Sequence, residues 1–312
     1  MTINPNETEN PEPLVSIGVP VRNGGDTLKT VLEGISNQTY QNIEIIISDN
    51  QSTDQTEKIC AEYLKNDKRI RYVRHDVFLS ALDNFKFVAS IASSEYFMWA
   101  AHDDLRAENY VEVLVKGLEE NPKSSLVFSD LIIFSDYKTA MPARPLNYPF
   151  DSSSLSLPSK IKKYSAFGCY HIYGLIRRKY LLNYPWLNID YGPDTPLLLY
   201  LVTCGDFTYI PGTSFYYYVP PTEADKTPKL RAIAISGKKL RAFPELRLYW
   251  VSAKTVKMAM SDNGNHQNHY FILYWIITGR LHMSIKAWLY FHSPYQLRDL
   301  WRHLKHRFFI KE

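Results

Sequence analysis

A mixed α/β fold, with a mostly parallel sheet covered by helices on both faces, is predicted by three features of this 312-residue sequence. Short runs rich in Val and Ile alternate four times with stretches of helical spacing before residue 130, and the connections between them are short. Two of these runs, Ile43–Ile47 and Tyr96–Trp99, lead into polar and acidic residues, which in open α/β sheets is where ligands bind.

Leu14–Pro20 reads as a first buried strand, followed by the loop Arg22–Asp26 and an amphipathic helix from Thr27 to Asn37. Ile43–Ile47 is a second strand. It ends in Ser48–Asp54, and Asp54 with Glu57 resembles a capping box opening a helix to Lys65. Ile70–Arg74 is a third strand, leading to a helix over Ala81–Ala92. Tyr96–Trp99 is the fourth, followed by His102, Asp103 and Asp104, then a helix over Ala107–Asn121 and a fifth strand at Leu126–Phe128.

From Lys138 to Ser159 the chain is rich in Pro and Ser and reads as a long loop. Beyond it come a helix over Lys160–Tyr170, a strand at His171–Ile176, a turn-rich segment Asn188–Pro196, a helix over Leu197–Thr203 and a strand at Phe207–Ile210. The aromatic run Phe215–Tyr218 follows. After Pro220 the alternation stops. Lys229–Met260, His269–Tyr290 and Pro294–Phe309 have helical spacing, which predicts a C-terminal helical appendage. The expected organisation is therefore a loose arm at 1–13, a catalytic domain at 14–220 with halves at 14–135 and 136–220, and a helical region at 221–312.

With 45% hydrophobic residues the chain can bury a large core, which excludes disorder. A net charge of +4 is too mild for a general nucleic-acid binder. Cys60, Cys169 and Cys204 have no metal spacing and fit a reducing compartment, hence the cytoplasm or the inner face of the plasma membrane. The first residues lack a signal-peptide core. The longest apolar run, Tyr270–Thr278, is far short of the ~20 residues that span a bilayer. The last part of the chain carries Arg280, Lys286, Arg298, Arg302, Lys305, Arg307 and Lys311 among Trp275, Trp288, Trp301 and Phe308. Such helices either dock on an anionic membrane surface or pack their aromatics on the catalytic domain.

Successive side chains of an extended chain point to opposite sides, so Asp103 and Asp104 divide between the sheet and the crevice. Mg²⁺ or Mn²⁺ with a diphosphate suits this pair, because such ions take one or two carboxylates and complete their shell with phosphate and water oxygens. A helix cap is the competing reading. The loop Arg22–Asp26 carries neither dinucleotide-binding nor P-loop glycine spacing.

Taken together, Val15–Asn23, Ile45–Asp54, Asn84 and His102-Asp103-Asp104 resemble the family 2 glycosyltransferases over about Leu14–Tyr218. The resemblance implies the glycosyltransferase A fold, a Rossmann-like sheet, and inverting transfer from a nucleoside-diphosphate sugar, with UDP or dTDP as the nucleotide. It places Pro20, Val21, Arg22 and Asn23 beside the base, and Asp49 and Asn50 on base or ribose. An Asn carbonyl can accept from the imide N–H of uracil or thymine. His102 is assigned to the diphosphate or to packing, Asp103 to ribose or metal, and Asp104 to the metal; Asn84 joins the nucleotide set. Asp194 in Gly192-Pro193-Asp194 matches the family's catalytic base, with a helix cap as the competing role and Asp190 as fallback. Lys226 and Arg231 stand in for a cationic helper at the diphosphate, and Tyr170, His171, Tyr173 and Trp186 are candidates to pack an acceptor sugar. The implied acceptor is a glycan or lipid-linked glycan of a bacterial surface polysaccharide. A sugar-phosphate nucleotidyltransferase and a non-catalytic membrane-surface protein are the alternatives.

Overall fold

A computed structural model describes residues 12–137, 151–164, 169–189, 192–220 and 244–262. The first half alternates as its patterning predicts: β1 (Val15–Val21), α1 (Gly25–Ser36), β2 (Ile43–Asp49), α2 (Thr56–Asn66), β3 (Ile70–Arg74), α3 (Ala81–Ile91) and β4 (Tyr96–Trp99). Then come β5 (Leu105–Arg106), α4 (Tyr110–Glu120), β6 (Ser124–Phe134) and α5 (Leu157–Tyr164). A 3₁₀ turn over Cys169–Tyr173 precedes β7 (Leu175–Arg177), α6 (Arg178–Asn183), α7 (Asp194–Cys204), β8 (Asp206–Tyr218) and α8 (Pro244–Asp262).

Among the described residues, eight strands form one sheet in the order β3-β2-β1-β4-β7-β6-β8-β5. The strands β3, β2, β1 and β4 run parallel, as do β6 and β8, whereas β7 runs antiparallel to β4 and β6, and β5 to β8. Both faces are covered because the strands alternate two apolar sets. Ile46, Phe97 and Trp99 pack with Val88 of α3 and with α7 and α8, while Ile45, Ile47, Tyr96 and Met98 pack with α1 and α4. Helix α3 lies so close to β1 that a Cβ on Gly18 would come within 2.6 Å of Val88 Cγ2.

Four local expectations are corrected. His171 to Tyr173 belong to the 3₁₀ turn, and the strand there is the shorter β7. Of the helix predicted over Lys160–Tyr170, Lys160–Tyr164 lie in α5, which begins earlier at Leu157, and Tyr170 lies in the 3₁₀ turn. Phe207–Ile210 and the run Phe215–Tyr218 are one strand, β8, interrupted opposite Phe128 and Asp130 by a bulge. The bulge is held by the Ser129 hydroxyl, which donates to Ile210 O (2.6 Å) and Thr213 O (2.7 Å), and Gly212 takes φ +97° within it. Asp54 does not form a capping box: its Oδ1 accepts from Thr56 N–H and hydroxyl and its Oδ2 from Gly25 N–H, while Glu57 faces Arg74.

Helix α8 covers the last part of the predicted Lys229–Met260 segment, runs on to Asp262 and packs on α7. The predicted helices at His269–Tyr290 and Pro294–Phe309, the cationic residues from Arg280 onward, Asp190, Lys226 and Arg231 lie outside the described residues.

Candidate functional site

At the carboxyl ends of β1 and β2 two loops are laced together. The N–H groups of Asn23, Gly24 and Gly25 donate to Ser52 Oγ, Thr56 Oγ1 and Asp54 Oδ2, each at 2.9 Å, and Asn23 Oδ1 accepts from Thr53 N–H at 2.9 Å. Asn23 and Gln51 both adopt left-handed backbone (φ 52° and 55°), a conformation that costs a non-glycine residue energy and is seen at binding loops. Although partial burial opposes it, the bonds from Thr56 and Gly25 hold the Asp54 carboxyl below its usual range.

The nucleotide-binding expectation for Asp49 and Asn50 meets a specific finding: both side chains are buried and bonded within the protein. Asp49 Oδ1 accepts from Ser52 N–H (2.8 Å), and Oδ2 accepts from Tyr72 OH and Arg74 Nη1, each at 2.7 Å. The Asn50 amide pairs with the Leu79 backbone in both directions, N–H to Oδ1 at 2.8 Å and Nδ2 to O at 2.9 Å. Asn84 is likewise internal, bonded through Oδ1 and Nδ2 to the hydroxyl and carbonyl of Ser48. These three residues shape the crevice wall, as do Pro20 and Val21, which pair in register with Ser48 and Asp49. Arg22 stays exposed, its guanidinium 4.8 Å from the centre of the Phe78 ring. Phe78 is itself 48% exposed, and sequence reading missed it because an aromatic in a connecting loop carries no periodic signal.

Beyond β4 the chain turns through Ala101–Asp104. His102 comes against the first loop: a Cβ on Gly24 would lie 3.5 Å from His102 Cδ2. The two carboxylates differ in burial, although they lie in a turn and not in the extended strand whose alternation would separate them. Asp103 is half-buried, whereas Asp104 is 1% exposed and accepts the Tyr218 N–H on Oδ1 at 2.8 Å. This bond, made possible by the bulge that re-aims the end of β8, replaces the helix cap considered from sequence; α4 begins only at Tyr110. Asp104 Oδ2 is buried without a hydrogen-bond partner. Burial first, and then the neighbouring Asp103 carboxylate, push the Asp104 pKa up to about 8. Arg106, buried two residues on, donates to Trp99 O at 2.7 Å and lies over the Phe215 ring.

Tyr137, which sequence did not single out, completes this turn. The Tyr137 hydroxyl donates to the main-chain carbonyl of Asp103, and its ring packs against Phe134 and Tyr218. Burial and the two carboxylates raise the Tyr137 pKa. Among the described residues no group of three or more His, Cys, Asp and Glu is arranged to hold a metal. An orphaned buried carboxylate oxygen beside a half-buried carboxylate suits a hard divalent ion that draws its other ligands from phosphate and water.

Asp194 is the first residue of α7, an acid at the positive end of the helix macrodipole. Burial, and then the Asp194 charge, raise the Tyr184 pKa. Tyr184 meets Trp186 edge-on at 5.1 Å, and Trp186 in turn meets Trp99, the last residue of β4, at 6.3 Å. Trp186 has φ 46°, a marked outlier for a bulky residue. A run of aromatic contacts thus leads from Tyr184 through Trp186 to the strand that precedes Asp103 and Asp104. Tyr170 packs on Tyr217, Tyr173 stacks on Phe215, and His171 contacts Phe128. Tyr170 and His171 help line a pocket between the 3₁₀ turn, β6 and β8.

Comparison with known proteins matches residues 16–184, more than half of the chain, to the family described as Glycosyl transferase family 2. Glycosyltransferase GlyG of Streptococcus pneumoniae serotype 4 is 36% identical over 107 residues, which are 34% of this chain and 36% of that protein. An uncharacterized glycosyltransferase of Haemophilus influenzae is 32% identical over 136 residues, 41% of this chain and 42% of that one. The matched stretch therefore spans about two fifths of these relatives' lengths. Among solved structures, S. aureus TarS 1-349 in complex with UDP superposes with a TM-score of 0.60 at 12% identity, covering 92% of this chain and 77% of TarS 1-349. The complex of the same protein with UDP-GlcNAc gives 0.54 at 14% identity, covering 79% and 72%.

Proposed function

This chain belongs to glycosyl transferase family 2, and on that footing we propose that it is a cytoplasmic, metal-dependent, inverting glycosyltransferase. It moves a sugar from a uridine or deoxythymidine diphosphate to a hydroxyl of a glycan or lipid-linked glycan in bacterial surface polysaccharide synthesis. The observation that carries the reading is the Asp103-Asp104 turn beyond β4, with Asp104 Oδ2 orphaned and buried and His102 against the laced first loop. A diphosphate donor is supported by the TarS structures, whose names record UDP and UDP-GlcNAc.

In this mechanism the β1 and β2 loops bind the nucleoside, with Asp49, Asn50 and Asn84 fixing loop shape and Arg22 with Phe78 exposed at the rim. Asp103 and Asp104 are the residues that would hold Mn²⁺ or Mg²⁺, which when bound would supply Lewis-acid neutralisation of the diphosphate charge. Tyr137 and the Tyr218 N–H keep the two carboxylates in place. Asp194 accepts the proton of the acceptor hydroxyl as its oxygen bonds to the anomeric carbon. The carbon–oxygen bond to the diphosphate breaks in the same displacement, its electron pair leaves with the nucleotide, and the configuration inverts. Trp186, half-buried, offers a face on which an acceptor sugar can pack, with the buried Tyr184 and Trp99 rings behind it.

The test pairs nucleotide binding with turnover. Asp104→Asn is expected to abolish Mn²⁺-dependent stabilisation by UDP or dTDP together with transfer. Asp194→Asn is expected to keep nucleotide binding while transfer falls by about 10²–10⁴. Unchanged turnover in Asp194→Asn overturns the base assignment, and no stabilisation by any nucleoside diphosphate overturns the reading as a whole.

A further inference from the structure

Helix α8 has two unlike faces. Leu248, Val251, Thr255, Val256 and Ala259 are buried, and the helix packs along α7. The opposite face presents Trp250, Lys254, Lys257 and Met258, spaced i, i+4, i+7 and i+8 so that they form one stripe. Trp250 is 62% exposed, and the Lys254 ammonium lies 5.3 Å from its ring centre. Met258 is also exposed. No acidic side chain is described on this stripe.

We propose that this stripe is a docking surface for an anionic lipid bilayer. A tryptophan body with flanking ammonium groups matches the headgroup region, where an indole is held between apolar and wet surroundings and lysines extend toward phosphates. Charge decides between this occupant and two others. Residues 263–312 carry seven Lys and Arg against two acids, so that segment shares the sign of the stripe and is a poor cover for it. A second copy laid face to face would oppose Lys254 and Lys257 to themselves. A negatively charged surface is complementary. No helix of the described residues is long and apolar enough to cross a membrane, so the contact is with the bilayer surface. Because α8 packs on α7, the docked face would be rigidly tied to the helix that begins at Asp194.

Co-sedimentation of the full chain with phosphatidylcholine vesicles, with and without phosphatidylglycerol, tests this. Binding is expected only with the anionic lipid and is expected to fall about tenfold in Lys254→Glu. Trp250→Ser is expected to weaken it separately, because it leaves both cations in place. Melting temperature and UDP-induced stabilisation should stay as in the wild type, which separates this outcome from failure of the glycosyltransferase reading. Absence of wild-type binding to anionic vesicles, or wild-type binding by both variants, would overturn the proposal.

Discussion

The residue-level lesson is that several polar groups expected at the ligand are spent inside the protein. Asp49, 0% exposed, satisfies Ser52 N–H and Tyr72 OH at once. Asp49→Ala should therefore lower stability by about 2–3 kcal/mol through the stranded donors, readable in urea unfolding. If Asp49 instead acted on the nucleotide alone, affinity would fall with no change in midpoint. Tyr137 gives the converse case: its hydroxyl fixes the Asp103 carbonyl without touching core aliphatics. Tyr137→Phe is expected to fold normally and to weaken Mn²⁺-dependent UDP binding about fivefold, the equivalent of one ordinary hydrogen bond, as read by titration calorimetry. The carboxylates themselves were legible, since paired acids after a buried apolar run stand out. Their division of labour was not: it depends on a Tyr218 N–H brought 114 positions along the chain by sheet pairing.

Among elements, the parallel strands were the readable ones, because a strand buried on both faces writes a continuous Val/Ile run. Strand β5 and the 3₁₀ turn escaped, and β7 reads as starting earlier and running longer than it does, since two- and three-residue strands owe their existence to neighbours already in the sheet. The bulge joining both parts of β8 was hidden for the same reason, as Pro211-Gly212 reads locally as a break. Two element-level outcomes follow from packing. Gly18→Ala would force a methyl against Val88 and Phe97 and should cost about 1–3 kcal/mol in urea unfolding. The turn before β3 is pinned by Asp67, whose carboxyl the Arg69 guanidinium, bonded at 2.7 Å, holds below its usual pKa. A depressed folded pKa means stability present above the unfolded value of about 3.9 and lost as pH falls through the folded one. Asp67→Asn should thus be less stable than wild type at pH 7, by about 0.5–1 kcal/mol given partial exposure. The gap should close in strong acid. A gap that persists there contradicts the assignment.

For the molecule as a whole, the sheet brings one half's laced loops to the Asp103-Asp104 turn, while ring contacts through Tyr184, Trp186 and Trp99 join the second half to the same strand end. Family membership and fold agree with what composition and motif order indicated. Donor sugar and acceptor were not legible, because selectivity depends on a few pocket contacts whose geometry spacing does not encode. The central claim is that a nucleoside diphosphate is gripped at this turn with a divalent ion. It is tested most directly by measuring the melting temperature of the full chain with UDP, with and without Mn²⁺, in wild type and in Asp104→Asn. Ligand that binds only the folded state raises the midpoint by mass action. A Mn²⁺-dependent rise in the wild type that vanishes in Asp104→Asn is the predicted result, and an equal rise in both proteins would contradict it.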